Sequence, residues 1–121
     1  MSTNELKIIQ RLYDLIKWYV PILNRLPKDH KFILGNKTIH RLYEILEDLI
    51  TAQFSPQKLD KLQSINTKLA ILRYQTRLLH DFELISTDRY EYVSRSLQEI
   101  GKDLGAWIKK QKQKENHETP R

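Results

Sequence analysis

Residues 86–107 read STDRYEYVSRSLQEIGKDLGAW. Within them Tyr90, Val93, Leu97, Ile100, Leu104 and Trp107 recur at intervals of 3, 4, 3, 4 and 3. That alternation puts all six on one stripe of an α-helix, the seam along which helices pack lengthwise. Ser86-Thr87-Asp88 supplies side-chain oxygens for the free N–H groups of a first turn. A helix with one apolar stripe needs other helices to bury it, so the search moves upstream.

Three more helical stretches are there. Ser2 and Glu5 have the three-residue spacing of a capping box. Leu6, Ile9, Leu12, Tyr13, Ile16, Tyr19, Val20 and Leu23 then predict a helix over 3–24, with Pro21 late enough to end or kink it. Pro27 suits the first turn of a second helix, and Phe32, Ile39, Leu42, Tyr43, Leu46, Leu49 and Ile50 carry it to about Gln53. Gly35 interrupts this run at a cost of about 1 kcal/mol against Ala, and marks either close packing or a later start. Phe54-Ser55-Pro56 is the sharpest boundary, with Ser55 as N-cap and Pro56 as first helical residue. A third helix to about Glu83 follows on Leu59, Leu62, Ile65, Leu69, Leu72, Leu79 and Phe82, with polar Thr76 at a step that should be apolar.

Short links force antiparallel neighbours, so the expected fold is all-α, an up-down-up-down four-helix bundle. The bundle occupies 1–110. Residues 109–121, KKQKQKENHETPR, hold no apolar side chain, and 111–121 are expected to form a basic, disordered tail.

Composition agrees. A chain of 121 residues is one domain, and its three Gly and four Pro are too few for a turn-rich β fold. The absence of Cys removes disulfides, thiol nucleophiles and Cys-type metal sites. No 18-residue apolar stretch or secretion-type start is present, so the expectation is a cytoplasmic protein without a membrane partner.

Little resembles a catalytic centre. His30, His40, His80 and His117 are never three or four apart, and no Glu-x-x-His occurs. No metal or cofactor is therefore expected. Arg73 and His80 have the loose spacing of HEPN-type ribonucleases, in which Arg would stabilise phosphate charge and His move a proton. That is one alternative function. A helical protein-interaction module without a nucleic-acid role is another.

The net charge of +6 is unevenly spread. Arg25, Lys28, Lys31, Lys37 and Arg41 face only Asp29 within 25–41. Lys61, Lys68, Arg73 and Arg77 face no acid within 61–80, whereas Glu44, Glu47 and Asp48 cluster between these blocks. Arg73 and Arg77 lie one turn apart, and Tyr74 beside them offers a ring to a base or an Arg plane. Arg73, Arg77, Lys68, Arg25, Lys28, Lys31, Lys37 and Arg41 are the expected phosphate-gripping residues. Gly101 and Gly105 form a flat strip beside Trp107, which fits close packing within the bundle or a subunit interface.

Three segments carry a family resemblance: LPKDHKFILGNKTIHRLYEILEDLITAQFS (26–55), LAILRYQTRLLHDFELIS (69–86) and RYEYVSRSLQEIGKDLGAWIKK (89–110). Pro27, Phe32, Gly35, the Leu72-Arg73 and Arg77-Leu78 pairs, Tyr90, Gly101, Gly105 and Trp107 together resemble Avd. This is the accessory variability determinant of diversity-generating retroelements, related in fold to ribosomal-RNA intervening-sequence proteins. His80 and Lys28-Asp29-His30 depart from its pattern. The resemblance implies a non-catalytic protein that assembles as a barrel-shaped homopentamer. It further implies contacts with a reverse transcriptase, template RNA and cDNA, in support of mutagenic copying. Arg73 and Arg77 match the basic part of its third helix.

Overall fold

The computed structural model describes residues 3–118, all helices and short turns. Helix α1 is Thr3–Leu23. Helix α2 is an unbroken succession of Lys28–His30, Lys31–Gly35 and Asn36–Ala52. Helices α3 and α4 are Lys58–Asp81 and Thr87–Glu118. Helix α1 packs on α2 and α4, and α3 on the same two. The four thus close a ring in which successive helices are antiparallel, as expected of a bundle with short links.

The heptad stripe of α4 forms one wall of the core, with Val93, Leu97, Ile100, Leu104 and Trp107 buried. Leu62, Ile65, Leu69, Leu72 and Leu79 of α3 face it. Thr76 is buried with them, its Oγ1 2.9 Å from the Tyr19 hydroxyl of α1. Each polar group thus satisfies the other. Burial pushes the Tyr19 phenol up to about 12, against the lowering effect of the Thr76 bond.

Several local expectations are corrected. In α1, Leu6 and Tyr13 are exposed while Ile8 and Leu15 enter the core. The helix meets two neighbours, and the stripe that fits both runs through Ile8, Leu12, Leu15, Tyr19 and Leu23. In α2 a π-helical turn over Lys31–Gly35 brings the Asn36 N–H to the Lys31 carbonyl, five residues back. The extra residue rotates everything before it out of phase. Phe32, expected in the core one heptad before Ile39, is therefore exposed together with Ile33, while Ile45 takes a core place. Gly35 is buried there because a Cβ would stand 3.3 Å from Leu26 Cδ1 and 3.5 Å from the Leu23 carbonyl oxygen, so close packing is its role.

At the α2–α3 link Ser55 Oγ accepts the Gln57 N–H at 3.1 Å, and the helix starts only at Lys58. Ser55-Pro56 thus shapes the turn rather than the first helical positions. The segment expected as a tail is helical as far as Glu118. Lys, Gln and Glu propagate a helix well without apolar contacts, and nothing interrupts them before Pro120. Ser2 of the proposed capping box lies outside the described residues, as does Arg121.

Candidate nucleic-acid interface

Helix α3 ends in a Schellman turn. Glu83 adopts φ 60, the Leu84 N–H reaches the Leu79 carbonyl at 2.8 Å, and the Glu83 N–H reaches that of His80 at 2.9 Å. Ile85 is buried, and Ser86 Oγ accepts the Arg89 N–H at 3.2 Å to start α4, the cap expected there. This turn fixes the register of the hairpin, so residues equidistant from Ile85 meet. His80 stacks on Tyr90 with ring centroids 4.4 Å apart and 15° between planes. Further along, Arg73 Nη2 donates to the Leu97 carbonyl at 3.3 Å.

Arg73 reaches that carbonyl across Gly101, where an added Cβ would collide with Nη2. The glycine is a seat for the guanidinium. Arg73, Tyr74, Arg77 and Ala70 of α3 with Tyr90 of α4 line an open cleft of about 350 Å³. Among the described residues no carboxylate lies within 4 Å of Arg73, and Arg77 approaches only Asp81, at 3.9 Å with both side chains exposed. An exposed pair at that distance neutralises little. Tyr74, 66% exposed, stands beside both arginines. The cleft therefore offers two largely uncompensated guanidinium groups and an open aromatic face.

The other cations divide. Lys68 bonds Asp48 at 2.5 Å and lies 3.5 Å from Glu44, while Lys61 lies 3.4 Å from Asp48. The Asp48 hydrogen bond raises the Lys68 pKa against the opposing effect of burial. Lys68 thus ties α3 to α2 and leaves the set of free phosphate-gripping residues. Arg41 is likewise held by Glu44 at 2.6 Å, and Arg11 joins α1 to α4 through Glu99 and Asp103. Arg25, Lys28, Lys31 and Lys37 lie around the α1–α2 turn and the start of α2. None of these four has a carboxylate within 4 Å among the described residues. Lys37 and Arg41 share a second cleft with Phe32, Ile33, His40 and Gln75, on the opposite flank of α3 from Arg73.

The structure refines three further expectations. Trp107 is buried in the core of its own bundle and the Arg73 guanidinium covers Gly101, which fits close packing within the bundle for both. Only Gly105 faces open space, with nothing within 4 Å of an added Cβ. His80 Nε2 lies 3.2 Å from Thr87 Oγ1, and His80 lines a cavity of about 710 Å³ at the α3–α4 turn with Glu83, Ser86 and Thr87. Arg73 and His80 therefore line different cavities. Tyr90, read from sequence only as a core residue, belongs to the cleft. Counting outward from Ile85, just before the Ser86 cap, is the signal that pairs it with His80 of α3.

Among the described residues no three His, Asp or Glu side chains cluster to hold a metal, and no helix is long and apolar enough to cross a membrane.

Fold and site define a class: a single-domain helical bundle with a cationic, aromatic-lined seam on one helical hairpin. The chain belongs to the bAvd-like family, whose model matches residues 6–111, from the first turns of α1 well into the last helix. Comparison with curated proteins gives no match.

Proposed function

We propose that this protein is a non-catalytic accessory factor of a diversity-generating retroelement, binding template RNA or cDNA together with the reverse transcriptase during mutagenic copying. Family membership supports the accessory role. The observation that carries nucleic-acid contact is the Arg73–Arg77 pair: Arg73 is held on the α3–α4 seam by the Leu97 carbonyl, and Arg77 has only the exposed Asp81 at 3.9 Å beside it among the described residues. Guanidinium groups are suited to bidentate phosphate contact. The sequence has no helix-turn-helix or zinc-finger spacing to argue for base readout, so the binding proposed is to the phosphate backbone and independent of sequence.

Protein partners have a different surface. Exposed Phe32 and Ile33 of α2 share a cleft with Gln75 of α3, Ile71 and Leu78 of α3 are exposed as well, and Phe82, just past the end of α3, lies near His30 with ring centroids 6.0 Å apart. An apolar face of this kind supports contact with the reverse transcriptase and with further copies of the chain. A pentamer would scatter light as about five times the 14.5 kDa chain.

The deciding experiment is RNA and DNA affinity as a function of salt. Log K should fall linearly with log salt, by about 0.7 per neutralised phosphate on single strands and about 0.9 on duplex DNA. The Arg73→Ala/Arg77→Ala double variant should bind less tightly at every sequence with unchanged helicity. A flat salt profile would remove the proposed interface.

A further inference from the structure

We infer that the α3–α4 cleft takes unpaired nucleotides, with one base stacked on Tyr74 and the flanking phosphates on Arg73 and Arg77; this rests on the nucleic-acid reading above. The first support is the Tyr74 ring itself. It is 66% exposed on a helix whose buried face is already made by Leu62, Ile65, Leu69, Leu72, Thr76 and Leu79, so the core does not require it. The second is its setting. Ala70, one turn before it, also lines the cleft and leaves space where a larger side chain would crowd the ring.

The third support is the fixed position of the cations. Arg73 is seated over Gly101 and anchored to the Leu97 carbonyl, which leaves its remaining N–H donors for a ligand. Arg77 follows one turn later, with about 5–6 Å between the Cβ atoms, comparable to the step between phosphates of an extended strand. In a duplex each base face is covered by its neighbours and is closed to Tyr74. In a single strand every base has an open π face, so the same contact accepts any sequence.

The test uses the full-length protein, with fluorescence anisotropy of a labelled RNA, the same RNA annealed to its complement, and a single-stranded DNA of equal sequence. Tyr74→Ala should weaken single-strand binding about 5- to 160-fold, the range of one lost base stack, and change duplex binding less than about twofold. Tyr74→Phe keeps the ring and should bind like the parent protein. Circular dichroism should be unaltered in both, since the side chain lies outside the core. RNA and DNA single strands should lose affinity in step. Equal loss on single strand and duplex, no loss on either, or a loss confined to one backbone type would overturn the stacking contact while leaving salt-dependent binding in place. Failure of the parent protein to bind any of the three would overturn the underlying reading instead.

Discussion

The guanidinium of Arg73 lies where a side chain at Gly101 would stand. Glycine in a helix interior costs about 1 kcal/mol against Ala, and here the open space seats a cation between two helices. The contact links a residue that lines the candidate cleft to one that does not.

Gly101→Ala therefore separates stability from binding. The new methyl displaces only the end of a flexible side chain. Helix propensity gains about 1 kcal/mol, and loss of the Arg73–Leu97 bond removes about 0.5–1.5 kcal/mol. The expected midpoint of thermal unfolding is close to that of the parent. Nucleic-acid affinity should drop toward that of Arg73→Ala. Parent-like affinity in a titration would show that the seat of Arg73 does not matter.

Lys68 and Arg77 should behave in opposite ways although both are basic residues of α3. Lys68→Met leaves Asp48, only 13% exposed, with Lys61 at 3.4 Å as its remaining cation. Stability should fall by about 1 kcal/mol in urea, with the salt slope of binding unchanged. Arg77→Ala touches an exposed side chain and should change stability by less than about 0.5 kcal/mol. Its binding should weaken, with a salt slope shallower by roughly one phosphate contact.

How much of this was legible in the sequence varies with the kind of information each feature needs. The α4 stripe was readable because Val93 to Trp107 keep strict spacing and pack as that spacing demands. Phe32 was misread because one extra residue in the Lys31–Gly35 turn resets the helical phase, and periodicity rules assume a constant pitch. Arg73 and Gly101 were both singled out, but as unrelated features. Their meeting depends on the register of two helices, which the turn around Ile85 sets. Lys68 was counted as free because charge along the chain says nothing about Asp48 on a neighbouring helix. The 111–118 segment was read from its lack of apolar residues, whereas its good helix formers extend α4.

The buried Tyr19–Thr76 pair predicts an asymmetric mutant cycle. Thr76→Val leaves the Tyr19 hydroxyl in the core without its partner and should cost about 1–3 kcal/mol. Tyr19→Phe should cost less, because a helical Thr hydroxyl can turn back to the carbonyl four residues earlier. The double variant should cost less than the sum of the two. Alkaline pH gives a separate readout. Below pH 10 both states keep the phenol proton and the buried pair contributes fully. Between about 10 and 12 the unfolded chain has lost that proton while the native one retains it. Stability then falls with rising pH by up to about 1.4 kcal/mol per unit. Lys68 adds a loss of the same sign at high pH, because its raised pKa stabilises only while it is protonated. Urea titrations of the parent and Tyr19→Phe at pH 9 and pH 11 isolate the tyrosine, and the gap between the two proteins should change across that interval.

Glu83 offers a gain in stability at the turn that sets the seam. It holds φ 60 at the position after the α3 cap, a left-handed conformation costing a non-glycine residue about 1–2 kcal/mol. The hydrogen bonds of the turn use its backbone and that of Leu84, so they survive removal of the side chain. Glycine avoids the steric cost but adds freedom to the unfolded chain worth about 0.5–1 kcal/mol. Glu83→Gly should therefore stabilise by up to about 1 kcal/mol, read as a higher urea midpoint at unchanged slope. Because the register of α3 against α4 is unaltered, the Arg73–Leu97 contact and nucleic-acid affinity should persist. A lower midpoint would mean that the Glu83 side chain holds the turn through contacts worth more than the strain of its backbone.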